Sequence, residues 1–212
     1  MIILIGSEKG GVGKSTIATN LSALLMSQNK DVVLVDADRQ STSANWTQDR
    51  KATGKVQVQC VRQYDDIENT IADLNKRYEY VIVDCQGRDS KELRTGLMVA
   101  DKLIIPCRPS QPDLDTVPVM LNTIAMARRI NSKLQVYCVL TMCPTNPKVN
   151  EVADSIAFLF RYPDLKLVGT HISDRKVYRD AISEGLSVVE KGDTKTSEEI
   201  NGILNEVLIN HG

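Results

Sequence analysis

The chain has 212 residues, 42% of them hydrophobic, which is enough for one substantial buried core and matches the size expected of a single domain, residues 1–212. Its 26 Lys and Arg against 27 Asp and Glu leave a formal net charge of −1, which excludes a protein that coats nucleic acid over its whole surface and confines any such site to a local patch. The apolar opening Met1–Ile5 is too short for a signal peptide or a membrane span, and no other window nears the ~18 apolar residues a span requires, so the sequence reads as soluble and cytoplasmic.

In chain order, short β-branched runs alternate with longer helical patterns. IILIG reads as a strand, followed by a helix over about Lys14–Gln28, the strand DVVLVD, a polar segment around Trp46 and the strand VQVQCV. Next come a helix over about Asp65–Lys76, the strand YVIVDC, a helix near Ser90–Ala100, the strand KLIIPC, a long helix over Leu114–Ile130 and the strand LQVYCVLTM. A helix over about Lys148–Phe160, the strand LKLVG and helices over Asp174–Ser183 and Ser197–Leu208 complete the chain. DVVLVD, YVIVD and KLIIP are apolar on both faces, as buried parallel strands are. The rhythm therefore predicts an α/β fold, a mostly parallel twisted sheet with helices on both faces. Ligands of such sheets bind outside the carboxyl ends of the strands, so Gly6, Asp36 and Asp84 converge on one rim. Cys60, Cys85, Cys107, Cys138 and Cys143 form no C-x-x-C pair, and they read as reduced packing residues rather than metal ligands.

IILI, then GSEKGGVGKST, then an amphipathic helix, supplies the strand, loop and helix of a phosphate-binding P-loop, with Glu8 where the usual pattern has its first glycine. Gly10, Gly11 and Gly13, with Val12 between them, let the backbone curl so that its N–H groups and the helix N-terminus face phosphate. Lys14 is placed to reach the β/γ-phosphates, Ser15 to offer its hydroxyl to Mg²⁺, and Thr16 to hydrogen-bond the α-phosphate. Asp36 and Asp38 end one strand, and Asp84 ends another where a Walker-B aspartate sits. Strand-end aspartates on their own are frequently helix caps, but beside the loop they make a site for ATP and Mg²⁺.

K-G-G-x-G-K-[ST] at residues 9–15, D-x-D-x-Q at 36–40 and the strand ending in Asp84 resemble the deviant Walker A, A′ and B motifs of the ParA/MinD family of P-loop ATPases. IIPCRPS is similar to that family's IIP-x-x-PS segment and RKVYRDAISEGLSVVE to its late R…A…G-x-x-V segment, so the resemblance spans nearly the whole chain. It implies ATP sandwiched between two copies. Lys9 then crosses to the phosphates of the partner's nucleotide, Asp38 orients the attacking water, Asp36 organises the Mg²⁺ surroundings and Asp84 holds Mg²⁺ through water. Pro109 and its neighbours would border the adenine. The family often has Asn where this chain reads LTMC, which leaves Thr141 or Met142 to meet the base. Gln86-Gly87 replaces a frequent Pro-Pro or Pro-Ala, and Gln86 either tunes switching or simply tolerates exposure.

MinD-like members carry a basic amphipathic C-terminal helix that lies on membrane. In TSEEINGILNEVLINHG the apolar positions Ile200, Ile203, Leu204, Val207 and Leu208 keep helical spacing but the charges are Glu198, Glu199 and Glu206, so the stripe reads as core packing and no membrane partner is expected. DRKVYRDA gathers Arg175, Lys176 and Arg179 around Tyr178. A solvated charged face is one reading of this cluster; nonspecific DNA binding by the ATP dimer, with nucleoid association, is the one the resemblance implies. The chain begins at the P-loop strand, as do short plasmid or chromosome partition ATPases that act with a ParB-like or ribbon-helix-helix protein bound to a centromere-like site. The expected function is a DNA-partition ATPase. The alternatives are a ParA-like positioning ATPase for another cargo, such as a protein cluster or conjugation machinery, and a metabolic P-loop enzyme, which would need a shaped acceptor pocket.

Overall fold

In the computed structural model, residues 1–88, 90–146 and 148–209 are described; Pro147 of the expected CPTNPK loop and the last residues of the C-terminal stretch lie outside them. β1 (Ile2–Ile5) shows the logic of the whole sheet. Ile2 and Leu4 enter one apolar layer and Ile3 and Ile5 the other, so a strand with no polar face is covered on both sides. Around it run β2 (Val32–Ala37), β3 (Gln59–Arg62), β4 (Tyr80–Cys85), β5 (Lys102–Cys107), β6 (Gln135–Leu140) and β7 (Lys166–Leu167), in the order β3-β2-β4-β1-β5-β6-β7. All seven strands are parallel, as βαβ connections require.

One face of the sheet is covered by α3 (Glu68–Asn75), α4 (Lys91–Leu97), α5 (Gln111–Leu114), α6 (Val117–Arg128) and α7 (Glu151–Leu159). The other is covered by α1 (Lys14–Ser27), α2 (Thr42–Arg50), α8 (Lys176–Ser183), α9 (Val188–Lys191) and α10 (Thr194–Ile209). Ile200, Ile203, Leu204 and Val207 of α10 are buried in that second layer, as the stripe predicts. The acidic face of the same helix is also engaged: Glu206 accepts hydrogen bonds from Gly169 N and Thr170 N, and Glu199 accepts one from Tyr178 Oη at 2.6 Å. No described helix is long and apolar enough to cross a membrane.

Three elements depart from expectation. The long helix expected over Leu114–Ile130 is divided into α5 and α6. Pro118 sits in the first turn of α6, where its missing N–H is harmless, whereas in a continuous helix it would clash with the preceding turn. α9 was not expected, although its Ser187–Glu190 capping box is a local signal. The polar segment around Trp46 is a helix, α2, whose stability comes from distant contacts. Arg50 is 1% exposed, lies 4.9 Å from the Trp46 ring, and donates to Gly185 O at 3.0 Å and through both terminal nitrogens to Glu190 at 2.9 and 2.6 Å. Trp46 Nε1 donates to Leu186 O at 3.0 Å.

A buried, bidentate pair of this kind is costly to break because one charge is left unpaired. Glu190→Ala is expected to lower unfolding free energy by about 3 kcal/mol in urea titration; a loss below about 1 kcal/mol would mean that α2 is not held by this pair.

Candidate functional site

Parallel register brings the chemistry to one level. Asp84 lies beside Asp36 on β2 and beside Ile5 on β1, directly before the glycine-rich loop. That loop ends at Gly13, whose left-handed φ of 91° suits a residue without a side chain, and Gly11 shares the conformation at 67°. α1 then begins with no side-chain cap and no acid in its first turn, and its first residue is Lys14, 6% exposed. A helix N-terminus disfavours a cation and favours an acid or cap, so this start is the opposite of what local stability would select. Among the described residues, the backbone N–H groups of residues 10–16 also make no hydrogen bond. Seven donors and a buried ammonium at a positive helix end fit the oxygens of a phosphate chain.

Lys14 Nζ donates to Lys9 O at 2.8 Å and Ser7 Oγ at 3.4 Å, and burial lowers its pKa despite the nearby Asp84 and Asp38. The open cleft has a volume of about 470 Å³, and Lys14, Ser15, Thr16, Asp38, Gly87 and Met142 are among its lining residues. Gly10, Gly11 and Gly13 also line it. Val12 is buried behind them. Lys9 does not line it. Gly87 was not singled out as a functional position, yet a Cβ there would lie 2.9 Å from Lys9 O, 3.0 Å from Lys14 Nζ and 3.1 Å from Gly10 N. Three non-glycine residues with left-handed backbones, Ser41 (φ 56°), Arg88 (79°) and Met142 (52°), stand in or beside this cleft, the kind of strain that gathers at functional sites.

The two buried strand-end carboxylates differ. Asp36 accepts from Asp38 N at 3.1 Å through Oδ1 and from Ala44 N at 2.7 Å through Oδ2. It anchors the start of α2, lies in register beside Asp84 and does not line the cleft. Asp84 accepts from Ser43 Oγ at 2.6 Å through Oδ2, whereas its Oδ1 is buried with no hydrogen-bond partner among the described residues. An orphaned carboxylate oxygen beside the Ser15 hydroxyl fits a hard divalent cation. Ser43 is a second functional residue that no motif announced. Burial pushes the Asp84 carboxyl up to about 7; the hydroxyls of Ser43 and Ser15 oppose the rise and Asp36 adds to it.

Other expected residues are placed less favourably. Pro109 is buried and lines neither this cleft nor its side recess. The recess, about 80 Å³, is lined by Thr141, Met142, Ile172, Ser173, Arg175 and Arg179 among others. Tyr178 is buried, so it is not the exposed centre of a basic cluster. Lys176 lies 3.1 Å from Asp180, Arg179 lies 2.8 Å from Asp174 and Arg175 lies 4.0 Å from Glu199, so the three cations are locally balanced. Four of the five cysteines are buried and all are free, and no cluster of three or more His, Cys, Asp and Glu side chains able to hold a metal occurs among the described residues.

Residues 3–188 match the CobQ/CobB/MinD/ParA nucleotide binding domain. The chain belongs to this family. A relative within it, maintenance of carboxysome distribution protein A from Halothiobacillus neapolitanus, is 32% identical over 97% of this chain and 95% of its own length. Of solved structures, apo McdA from Cyanothece has the same fold, with a TM-score of 0.77 at 18% identity over 96% of this chain and 98% of that one. The septum site-determining protein MinD of Pyrococcus horikoshii, complexed with Mg-ADP, has a TM-score of 0.73 at 17% identity over 98% and 95%. The P-loop, the parallel sheet and the rim of strand ends are therefore family architecture.

In the nucleotide-free protein, folded Asp84 keeps its proton to about pH 7 while an unfolded aspartate releases it near 3.8. The folded state binds the extra proton between those values, so its stability falls as pH rises through the window and levels off above it. Asp36, also raised by burial, adds to the slope. Asp84→Asn is expected to remove most of this decline in urea midpoints; an unchanged slope would contradict the burial argument.

Proposed function

We propose that the chain is a Mg-ATP-switched partition ATPase: ATP pairs two copies across their nucleotides, the pair binds DNA nonspecifically, and adaptor-stimulated hydrolysis releases it, segregating plasmid or chromosome DNA. The observation that supports this reading best is the contrast between two loop lysines. Lys14 lines its own cleft, and Lys9 contributes a carbonyl to the loop without lining that cleft. A second cation in a phosphate loop that does not line its own cleft has an electrostatic use at a neighbour's phosphates, and such a contact ties dimer state to nucleotide state.

On this reading Lys14 exchanges the Lys9 carbonyl for phosphate oxygens, and the free amides of residues 10–16 hold the phosphate chain. Ser15 and the unpartnered Asp84 Oδ1 would hold Mg²⁺, which neutralises phosphate charge when bound. Asp38, at the cleft wall with Oδ1 fixed by Gln40 N at 2.9 Å, orients the attacking water. Met142 borders the adenine at the side recess. DNA phosphates would compete for Lys176 and Arg179, which are 81% and 68% exposed and whose ion pairs, being solvated, are cheap to exchange. Arg175, at 32%, contributes less. The centromere-binding adaptor, ParB-like or ribbon-helix-helix, would supply cargo and stimulation. The 32% identity to a carboxysome distribution protein favours a second reading with the same chemistry, in which the cargo is a protein body rather than DNA.

Lys14→Ala is expected to abolish ATP binding. Asp38→Ala should keep it, slow turnover at least about tenfold and prolong ATP-dependent DNA shifts. Reversing Lys176 and Arg179 to Glu should weaken those shifts and flatten their salt dependence; normal hydrolysis by Asp38→Ala, or an unchanged salt slope, would remove the corresponding assignment.

A further inference from the structure

The loop amides face the cleft because something holds the other side of the same peptides. In a trans peptide the C=O of one residue and the N–H of the next point in opposite directions. The Gly11 oxygen accepts from Arg108 Nη2, the Val12 oxygen accepts from Thr141 Oγ1 at 2.9 Å, and the Gly13 oxygen accepts from Ile17 N at 3.0 Å. Each of these bonds turns one amide, those of Val12, Gly13 and Lys14, away from the body of the protein. The third belongs to α1 itself. The first two come from residues following β5 and β6, and Thr141 N donates to Cys107 O at 2.9 Å, which links the two supports.

We propose that Arg108 and Thr141 are positioning residues for the nucleotide phosphates, acting from outside the cradle by holding the Gly11 and Val12 carbonyls so that the following amides face inward. This inference rests on the nucleotide reading of the cleft. Arg108 does not line the cleft, so its guanidinium acts through the loop and not on the ligand. Its Nε is buried without a hydrogen-bond partner among the described residues, a desolvation cost that an idle surface arginine does not bear. Thr141 is 1% exposed, and its hydroxyl has been committed to a loop carbonyl rather than left for a base. Preorganised donors matter most where they meet charge, since no reorientation is then needed on binding.

The test is calorimetric titration of MgADP and of a non-hydrolysable Mg-ATP analogue, with steady-state ATP hydrolysis in parallel. Arg108→Ala and Thr141→Val are each expected to weaken both ligands by about tenfold, with the loss in KM rather than kcat. Arg108→Lys should recover part of the affinity, because an ammonium can still reach the Gly11 oxygen. Melting temperature reports folding separately, and Arg108→Gln replaces the alanine variant if that one unfolds. Wild-type affinity in Arg108→Ala and Thr141→Val, with the wild type binding normally, overturns the inference alone; a fall in kcat with ADP affinity retained also overturns it, by moving the guanidinium onto the reacting phosphate. Absence of binding by the wild type overturns the nucleotide reading itself.

Discussion

The start of α1 is the constraint around which the site is organised. A lysine opens an uncapped helix, buried at the positive end of its dipole, with the N–H groups of residues 10–16 making no hydrogen bond to described residues. No arrangement of local sequence would choose this for stability. Nearby on the same rim, register sets two buried carboxylates side by side, one of them with an orphaned oxygen. An anion-seeking loop adjoining a cation-seeking carboxylate is complementary to a phosphate chain carrying a divalent metal.

The rest of the fold holds these unmet charges in place. The Arg50–Glu190 pair docks α2 on α9, and α2 in turn delivers Ser43 to Asp84 and the Ala44 amide to Asp36. On the other side of β1, the ends of β5 and β6 send Arg108 and Thr141 to the loop. Gly87, after β4, leaves space in which the Lys9 carbonyl and the Lys14 ammonium can meet. Each buttress comes from a different strand end.

Much of this was legible in the sequence, because the P-loop, the strand rhythm and Asp84 are local patterns. The apolar runs announced parallel strands, and the acidic apolar stripe of α10 announced a packed helix. What was missed depends on pairings that the fold decides, at long range and at short. α2 looked like a polar connection because Arg50 meets Glu190 across 140 positions. Asp36 and Asp84 are alike in sequence, and only the Ala44 and Asp38 amides distinguish an anchor from a free oxygen. Arg175, Lys176 and Arg179 looked basic until the fold placed Glu199, Asp180 and Asp174 beside them. Composition shows how many charges exist; pairing is a property of the fold.

On the proposed function the cleft is half of a shared site, with Lys9 supplied to a second copy. Light-scattering mass with a non-hydrolysable Mg-ATP analogue tests it most directly. The wild type should double its mass with the analogue and remain monomeric with ADP, while Lys9→Ala binds the analogue and stays monomeric. A Lys9→Ala protein that dimerises as the wild type does would contradict the claim.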